Sequence, residues 1–151
     1  MREILFRGKR IDNGEWIEGY FCRKYFPELP HDRCVIQYKP KSDVCKWTPP
    51  YIADEIIPET IGQYTGLTDK NGKKIFEGDI VVTKYKLGRG GYYVFEVYYN
   101  ENLCQFALTI NSGSYTKNKQ YDWLQLTELK ANKIEVIGNI HDNHELLKGE
   151  E

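Results

Sequence analysis

The feature that most narrows the fold is the run Ile57 to Val82, where Asn71-Gly72 sits between two stretches of strand character. A two-residue type I′ turn needs positive φ at both central residues, which Asn tolerates and Gly accepts at no steric cost. The dipeptide therefore predicts a β-hairpin. Lys70 and Lys73 flank it, and charge at a hairpin tip keeps an exposed edge from pairing with another chain. Before the turn Ile61, Gln63 and Thr65 alternate with Gly62 and Tyr64; after it Ile80 and Val82 alternate with Val81 and Thr83. That period of two marks half-buried strands. Glu77-Gly78-Asp79 interrupts it and reads as a turn or glycine bulge. Asp79 invites a catalytic reading, but a carboxylate in such a turn more simply accepts the backbone N–H groups of its own loop.

A second hairpin is expected over Arg2 to Phe21. Ile4 and Phe6 alternate with Leu5, Arg7 and Lys9, Asp12-Asn13-Gly14-Glu15 turns the chain, and Trp16, Glu18 and Tyr20 alternate with Ile17 and Phe21. Arg7 and Lys9 share one strand face, which reads as a solvated face with phosphate contact as the alternative. Between Cys22 and Asp54, five prolines leave one strand candidate, Cys34 to Tyr38, in what is otherwise a loop excursion. Trp47-Thr48-Pro49-Pro50-Tyr51 is the kind of aromatic-proline segment that lies over a barrel mouth or in a partner groove.

Beyond Val82, Lys86 to Gly91 is glycine-rich but precedes the strand Tyr92 to Tyr99, not the helix N-terminus that a phosphate cradle requires. Both faces of that strand are largely apolar, so a loop or a second subunit is expected to cover the outer one. Leu103 to Ile110 reads as the next strand, with Cys104 in its apolar stripe, after a turn at Tyr99 to Asn102. Asn111 to Asp122 is a polar loop, Trp123 to Leu126 is a short strand or a turn of helix, and Lys133 to Ile140 is a strand. Asp142-Asn143-His144-Glu145 has the form of a capping box opening a short C-terminal helix that docks through Leu146 and Leu147.

At 151 residues the chain is of single-domain size and buries about 68–70% of its unfolded surface, enough for a core without staples. The organisation read from it is an N-terminal hairpin region with the proline-rich excursion over 1–56, packed with a barrel and helix over 57–151. With 21 basic and 22 acidic residues the net charge is −1, so no global field draws it to nucleic acid or to a membrane. There is no apolar run long enough to span a bilayer and no secretory start, and the expected location is the cytoplasm. In that setting Cys22, Cys34, Cys45 and Cys104 are expected as thiols. Twelve Tyr, six Phe and three Trp, with β-branched runs, tilt the class to mainly β.

No spacing signals a reaction centre. His31 and Cys34 form the one close pair near Cys22 and Cys45, short of the two close pairs of a structural zinc site; His141 and His144 lack a third ligand. No catalytic, cofactor or metal residue is assigned. The candidate interaction surface is aromatic and basic: Tyr85, Arg89, Tyr92 and Tyr93, with Trp47 and Tyr51. Tyrosines beside Lys84, Lys86 and Arg89 suit single-stranded nucleic acid, which stacks bases on exposed rings; ordinary barrel packing with charged loop tips accounts for the same residues.

Several stretches together resemble the YopX family of small phage and prophage proteins. They are Arg2 to Arg10 with Gly14 to Tyr20, then Gly62 to Leu67, Asp69 to Gly72 and Phe76 to Val81, then Glu135 to Ile140 and Glu145 to Leu147. The chain departs from the family at His141 and His144, where an aromatic and a proline are common. The resemblance implies a mostly-β fold with a small SH3-like barrel in the second half and a phage origin. It supplies no accepted activity, catalytic residue or cofactor. The expected function is a non-enzymatic accessory protein acting as a β-barrel interaction module, self-associating, with a host or phage protein as a further partner. The alternatives are a single-stranded nucleic-acid binder and an enzyme of unknown class.

Overall fold

The structure, a computed structural model, describes residues 3–25, 33–39, 51–85, 91–110, 124–125 and 133–147. It is mainly β, with two antiparallel sheets and no α-helix among the described residues. The chain divides into two compact units, Met1–Tyr64 and Thr65–Glu151.

In the first unit, β1 (Phe6–Lys9) and β2 (Trp16–Lys24) form the expected hairpin, and β3 (Arg33–Tyr38) and β4 (Ile52–Glu55) extend it. The ladder runs β4-β3-β2-β1, then to the start of β5 (Gly62–Thr68), whose Gly62 and Gln63 pair with Arg7 and Phe6. Proline density is a reason to expect no strand but Cys34–Tyr38 between Cys22 and Asp54. The structure instead prolongs β2 to Lys24 and adds β4. β4 ends the ladder among the described residues, so it needs a pairing neighbour on one side only. Its far end returns to β1: Arg10 and Ile56 form an isolated bridge, Ile11 N–H donates to Glu55 O (3.1 Å) and Ile57 N–H donates to Lys9 O (2.8 Å). A 3-10 turn, Pro58–Thr60, then feeds β5, and Thr60 Oγ1 accepts from Lys9 N–H at 2.9 Å. Among the described residues, Leu5, Val35, Ile36, Ile56 and Tyr64 are the buried hydrophobic ones here.

In the second unit, the last part of β5 pairs with β6 (Lys74–Phe76), closing the Asn71-Gly72 hairpin. The turn differs from a type I′ turn. Gly72 has φ 80°, Asn71 keeps an ordinary φ, Gly72 N–H donates to Asp69 O (3.0 Å) and Asp69 N–H to Lys73 O (2.8 Å). This is a three-residue loop with one left-handed position. The reason is Asp69, whose Oδ1 accepts from the Asn71 and Lys73 amides and so fixes Asn71 within an Asx turn.

β7 (Asp79–Tyr85), β8 (Gly91–Asn100), β9 (Gln105–Ile110) and β10 (Leu124–Gln125) follow as a meander, and β11 (Ile134–Asn139) returns to pair with β7. Ile75, Val81, Phe95, Val97, Leu108, Ile134 and Val136 form the core, with Leu67, Tyr93 and Phe106 packed against it. At the Glu77-Gly78-Asp79 interruption the chain reverses. Gly78 N–H donates to Val97 O (2.8 Å), and the buried Asp79 Oδ2 accepts from Phe76 N–H (2.7 Å).

A bulge between Val136 and Gly138 inserts Ile137, which is exposed. Asn143 lies over Gly138, and the turn that follows contacts β8 and buries Leu147. The expected C-terminal helix is a single 3-10 turn, His144–Leu147, because four residues provide too few i→i+4 bonds to nucleate an α-helix. Cys104 is also not a core residue. The turn falls at Glu101–Cys104, and Cys104 is exposed with φ 51°. The Asn100–Gln105 pair closes the hairpin two residues later than the expected turn at Tyr99 to Asn102. The segments 86–90 and 111–122, read as loops in the sequence, lie outside the described residues.

Candidate interaction surface

The β1–β2 register decides which side chains share a face. Lys9 lies opposite Trp16 and Arg7 opposite Glu18, so alternation puts Arg7, Lys9, Trp16, Glu18 and Tyr20 on one side of the sheet. Tyr20 in turn lies opposite Gln37 on β3, and Lys24 opposite Arg33. The Arg7 guanidinium carbon is 4.9 Å from the Trp16 ring centroid and the Lys9 ammonium 5.6 Å, both within cation–π range. Tyr20 projects from the middle of β2 with 56% of its surface exposed, and Arg33 Nη1 meets Glu55 Oε2 at 2.5 Å.

The opposite face and the hairpin tip are tied by charge. Tyr38 Oη donates to Asp54 Oδ2 at 2.6 Å, and Arg10 Nε approaches the same oxygen at 3.5 Å. Arg10 also donates through Nε and Nη2 to the two oxygens of Asp12, at 2.9 and 2.6 Å. The bond to Asp54, with burial and the Asp54 charge, holds the Tyr38 phenol above its ordinary value. This network fixes the tip against β4 and leaves Arg10 committed to carboxylates.

In the second unit two carboxylates are built into the fold, Asp79 at its turn and Asp69. Asp69 Oδ1 takes the Asn71 and Lys73 amides at 2.8 and 2.9 Å, and Oδ2 takes Val136 N–H at 3.0 Å. Burial alone pushes this carboxyl up, but the amides of Val136, Lys73 and Asn71, with the Lys73 charge, hold it below the ordinary carboxylate value. The result is a joint between the β5–β6 turn and β11.

Of the residues named from sequence, Tyr85, Tyr92 and Tyr93 come together where β7 pairs with the start of β8 in the second unit, and Tyr51 belongs to the first. Tyr51 precedes β4 and is 53% exposed. Tyr93 is half-buried against the core, opposite Thr83 and with its ring 6.3 Å from that of Phe95. Tyr85 ends β7 and pairs with Gly91, and Tyr92 on β8 pairs with Lys84. Trp47 and Arg89 lie outside the described residues, as do His31 and Cys45. Cys22, Cys34 and Cys104 are free thiols. Cys22 pairs with Val35 and Cys34 with Arg23, so the first two point to opposite faces of the sheet. Among the described residues no group of three or more His, Cys, Asp or Glu stands close enough to hold a metal ion, and no helix is long and apolar enough to cross a membrane.

The Trp16–Tyr20 face is a surface that alternation alone does not assemble: Arg7 and Lys9 share one parity and Trp16, Glu18 and Tyr20 another, and the turn register at Lys9–Trp16 superposes them.

Comparison with known proteins agrees with the family motifs. The crystal structure of protein EF1440 from Enterococcus faecalis is similar at a TM-score of 0.51 and 25% identity, over 97% of this chain and 99% of that one. No curated protein matches the chain significantly. The family model described as YopX protein matches residues 5–148, nearly the whole length, and the chain therefore belongs to the YopX family.

Proposed function

We propose that this chain is a non-enzymatic phage or prophage accessory protein, an interaction module acting in the host cytoplasm and associating with itself. The observation that carries self-association is the edge of the first sheet. β4 ends its ladder, and there Tyr51 and Ile52 are 53% and 43% exposed. An edge strand is a template for pairing with a second chain, and the two charges of β4 are already engaged, Asp54 by Tyr38 and Arg10 and Glu55 by Arg33. In the second unit the connectivity β7-β8-β9-β10, with β11 returning to β7, supports the SH3-like reading that the family resemblance implies. There Tyr85, Tyr92 and Tyr93 are the residues we assign to partner contact, with Arg89; Trp47 and Tyr51 have that role in the first unit. A host or phage protein is the further partner of such a module.

Size-exclusion chromatography with light scattering tests the self-association. The expected result is a dimer or larger species at micromolar concentration, converted to monomer by Tyr51→Lys with Ile52→Lys. A strict monomer across that range overturns the assignment.

A further inference from the structure

The first sheet presents a second surface, distinct from the β4 edge, whose chemistry is specific. An exposed tyrosine alone is unremarkable on a protein surface. Here Tyr20 stands on the same strand face as Trp16, four residues and roughly 13 Å along β2. Two cations from the neighbouring strand, Arg7 and Lys9, are held at the indole. Gln37 lies directly across from Tyr20 and brings an amide with both donors and an acceptor. Flat rings, cations beside them and an adaptable amide on a twisted sheet are the parts with which sheet proteins hold unpaired bases.

We infer that this face, carrying Trp16, Tyr20, Gln37, Arg7 and Lys9, binds single-stranded nucleic acid. The Tyr20 ring stacks on a base, while Trp16, whose ring lies under Arg7 and Lys9, holds those two cations on the same face. Arg7 and Lys9 meet the phosphates beside that nucleotide, and the Gln37 amide faces the edge of the base at Tyr20. A duplex keeps its bases stacked on one another and offers the Tyr20 ring nothing. An acidic peptide answers the cations but lacks a flat group for Tyr20. Glu18, exposed between the two rings and opposite Arg7, opposes the backbone charge and makes the affinity modest. It therefore gives the surface a signature: neutralising it tightens binding.

The test is fluorescence polarisation of the full chain with labelled single-stranded DNA and RNA oligonucleotides, the matching duplex, and polyglutamate as competitor. Single strands of one or both kinds are expected to bind. With one or two phosphates neutralised by Arg7 and Lys9, affinity falls by about 3- to 7-fold between about 50 and 200 mM salt. Tyr20→Ala, an exposed position, weakens binding about fivefold or more, Tyr20→Phe retains it, Trp16→Ala weakens it, and Glu18→Gln strengthens it. A Tyr51→Thr, Ile52→Thr variant, which makes the β4 edge polar without adding charge, binds as the parent does, so loss of self-association and loss of this surface are separable results. Absence of single-strand binding at low salt, equal binding of duplex, displacement by polyglutamate alone, or a Tyr20→Ala protein that binds like the parent each overturns the assignment.

Discussion

The hairpin tip at Arg10–Gly14 and the tip at Asp69–Gly72 are each made of an Asp, an Asn and a glycine at positive φ, 72° in Gly14 and 80° in Gly72. At the first, Asp12 stays in solvent and its carboxylate binds the guanidinium of Arg10, two residues away. At the second, Asp69 is buried and spends one oxygen on its own turn and the other on Val136, 67 residues away. The same turn vocabulary thus ends one strand pair locally and ties two distant segments in the other. Burial is what separates the cases, because a charge-assisted bond is strong where water cannot compete for either partner.

Replacing the two carboxylates gives the widest separation. Asp69→Ala leaves three backbone N–H groups to find new partners and is expected to lower unfolding stability by about 3–4 kcal/mol in urea denaturation. Asp12→Ala is expected to leave the midpoint unchanged, since exposed ion pairs contribute little. Equal effects would dissolve the contrast. Acid sharpens it further. Because the folded Asp69 carboxyl lies below its ordinary value, its contribution is complete above the unfolded pKa of about 3.9 and is lost as pH falls through the lower folded value. Half-buried Glu135, lowered by its bond from Lys70, follows the same sign. Asp69→Asn keeps an acceptor oxygen but nothing to titrate, so its stability should fall less steeply than the parent's below about pH 4.

The two glycines should behave alike where the two aspartates do not. A methyl group at Gly14 or Gly72 meets no heavy atom within 4 Å, so backbone strain is the whole cost of either Gly→Ala change. Offsetting the left-handed penalty by the lower entropy of the unfolded alanine chain leaves about 1 kcal/mol at each tip. A Gly72→Ala loss well above the Gly14→Ala loss in the same urea titration would mean that the Asp69 joint depends on turn shape as well as on its carboxylate.

Sequence alone disclosed the strands whose alternation or β-branched run is clear or whose turn carries Asn-Gly, and so β1, β2, β3, β5, β7, β8, β9 and β11 were all readable, β9 with its start placed too early at Leu103. It did not disclose β4, since Ile52-Ala53-Asp54-Glu55 is too short to show a period and follows two prolines. Nor did it disclose Asp69 as a joint. The acceptor role within the turn is local and inferable, but the bond to Val136 exists only once β11 has returned to β7. Arg7 and Lys9 were legible as a shared face. That Trp16 and Tyr20 stand on the same side depended on a register that one residue more or less in the tip would reverse.

Cys104 supplies a third tip, without an Asx–Gly pair, and the smallest expected effect. The turn Glu101–Cys104 is held by Leu103 N–H donating to Asn100 Oδ1 (3.2 Å) and Cys104 N–H donating to Glu101 O (3.4 Å), and it places Cys104 at φ 51°. An L-residue there carries a penalty of about 1–2 kcal/mol that glycine avoids, while glycine returns about 0.5–1 kcal/mol as extra freedom in the unfolded chain. The Cys104 thiol contributes only a long contact to Glu101 O at 3.5 Å. Cys104→Gly is therefore expected to stabilise the protein by about 0.5 kcal/mol, and Cys104→Ala, which keeps the strain and loses the contact, to leave it unchanged or slightly weaker. If both variants shift the urea midpoint equally, the thiol and not the backbone sets the energy of this turn, and glycine at a left-handed tip matters less in this chain than Gly14 and Gly72 suggest.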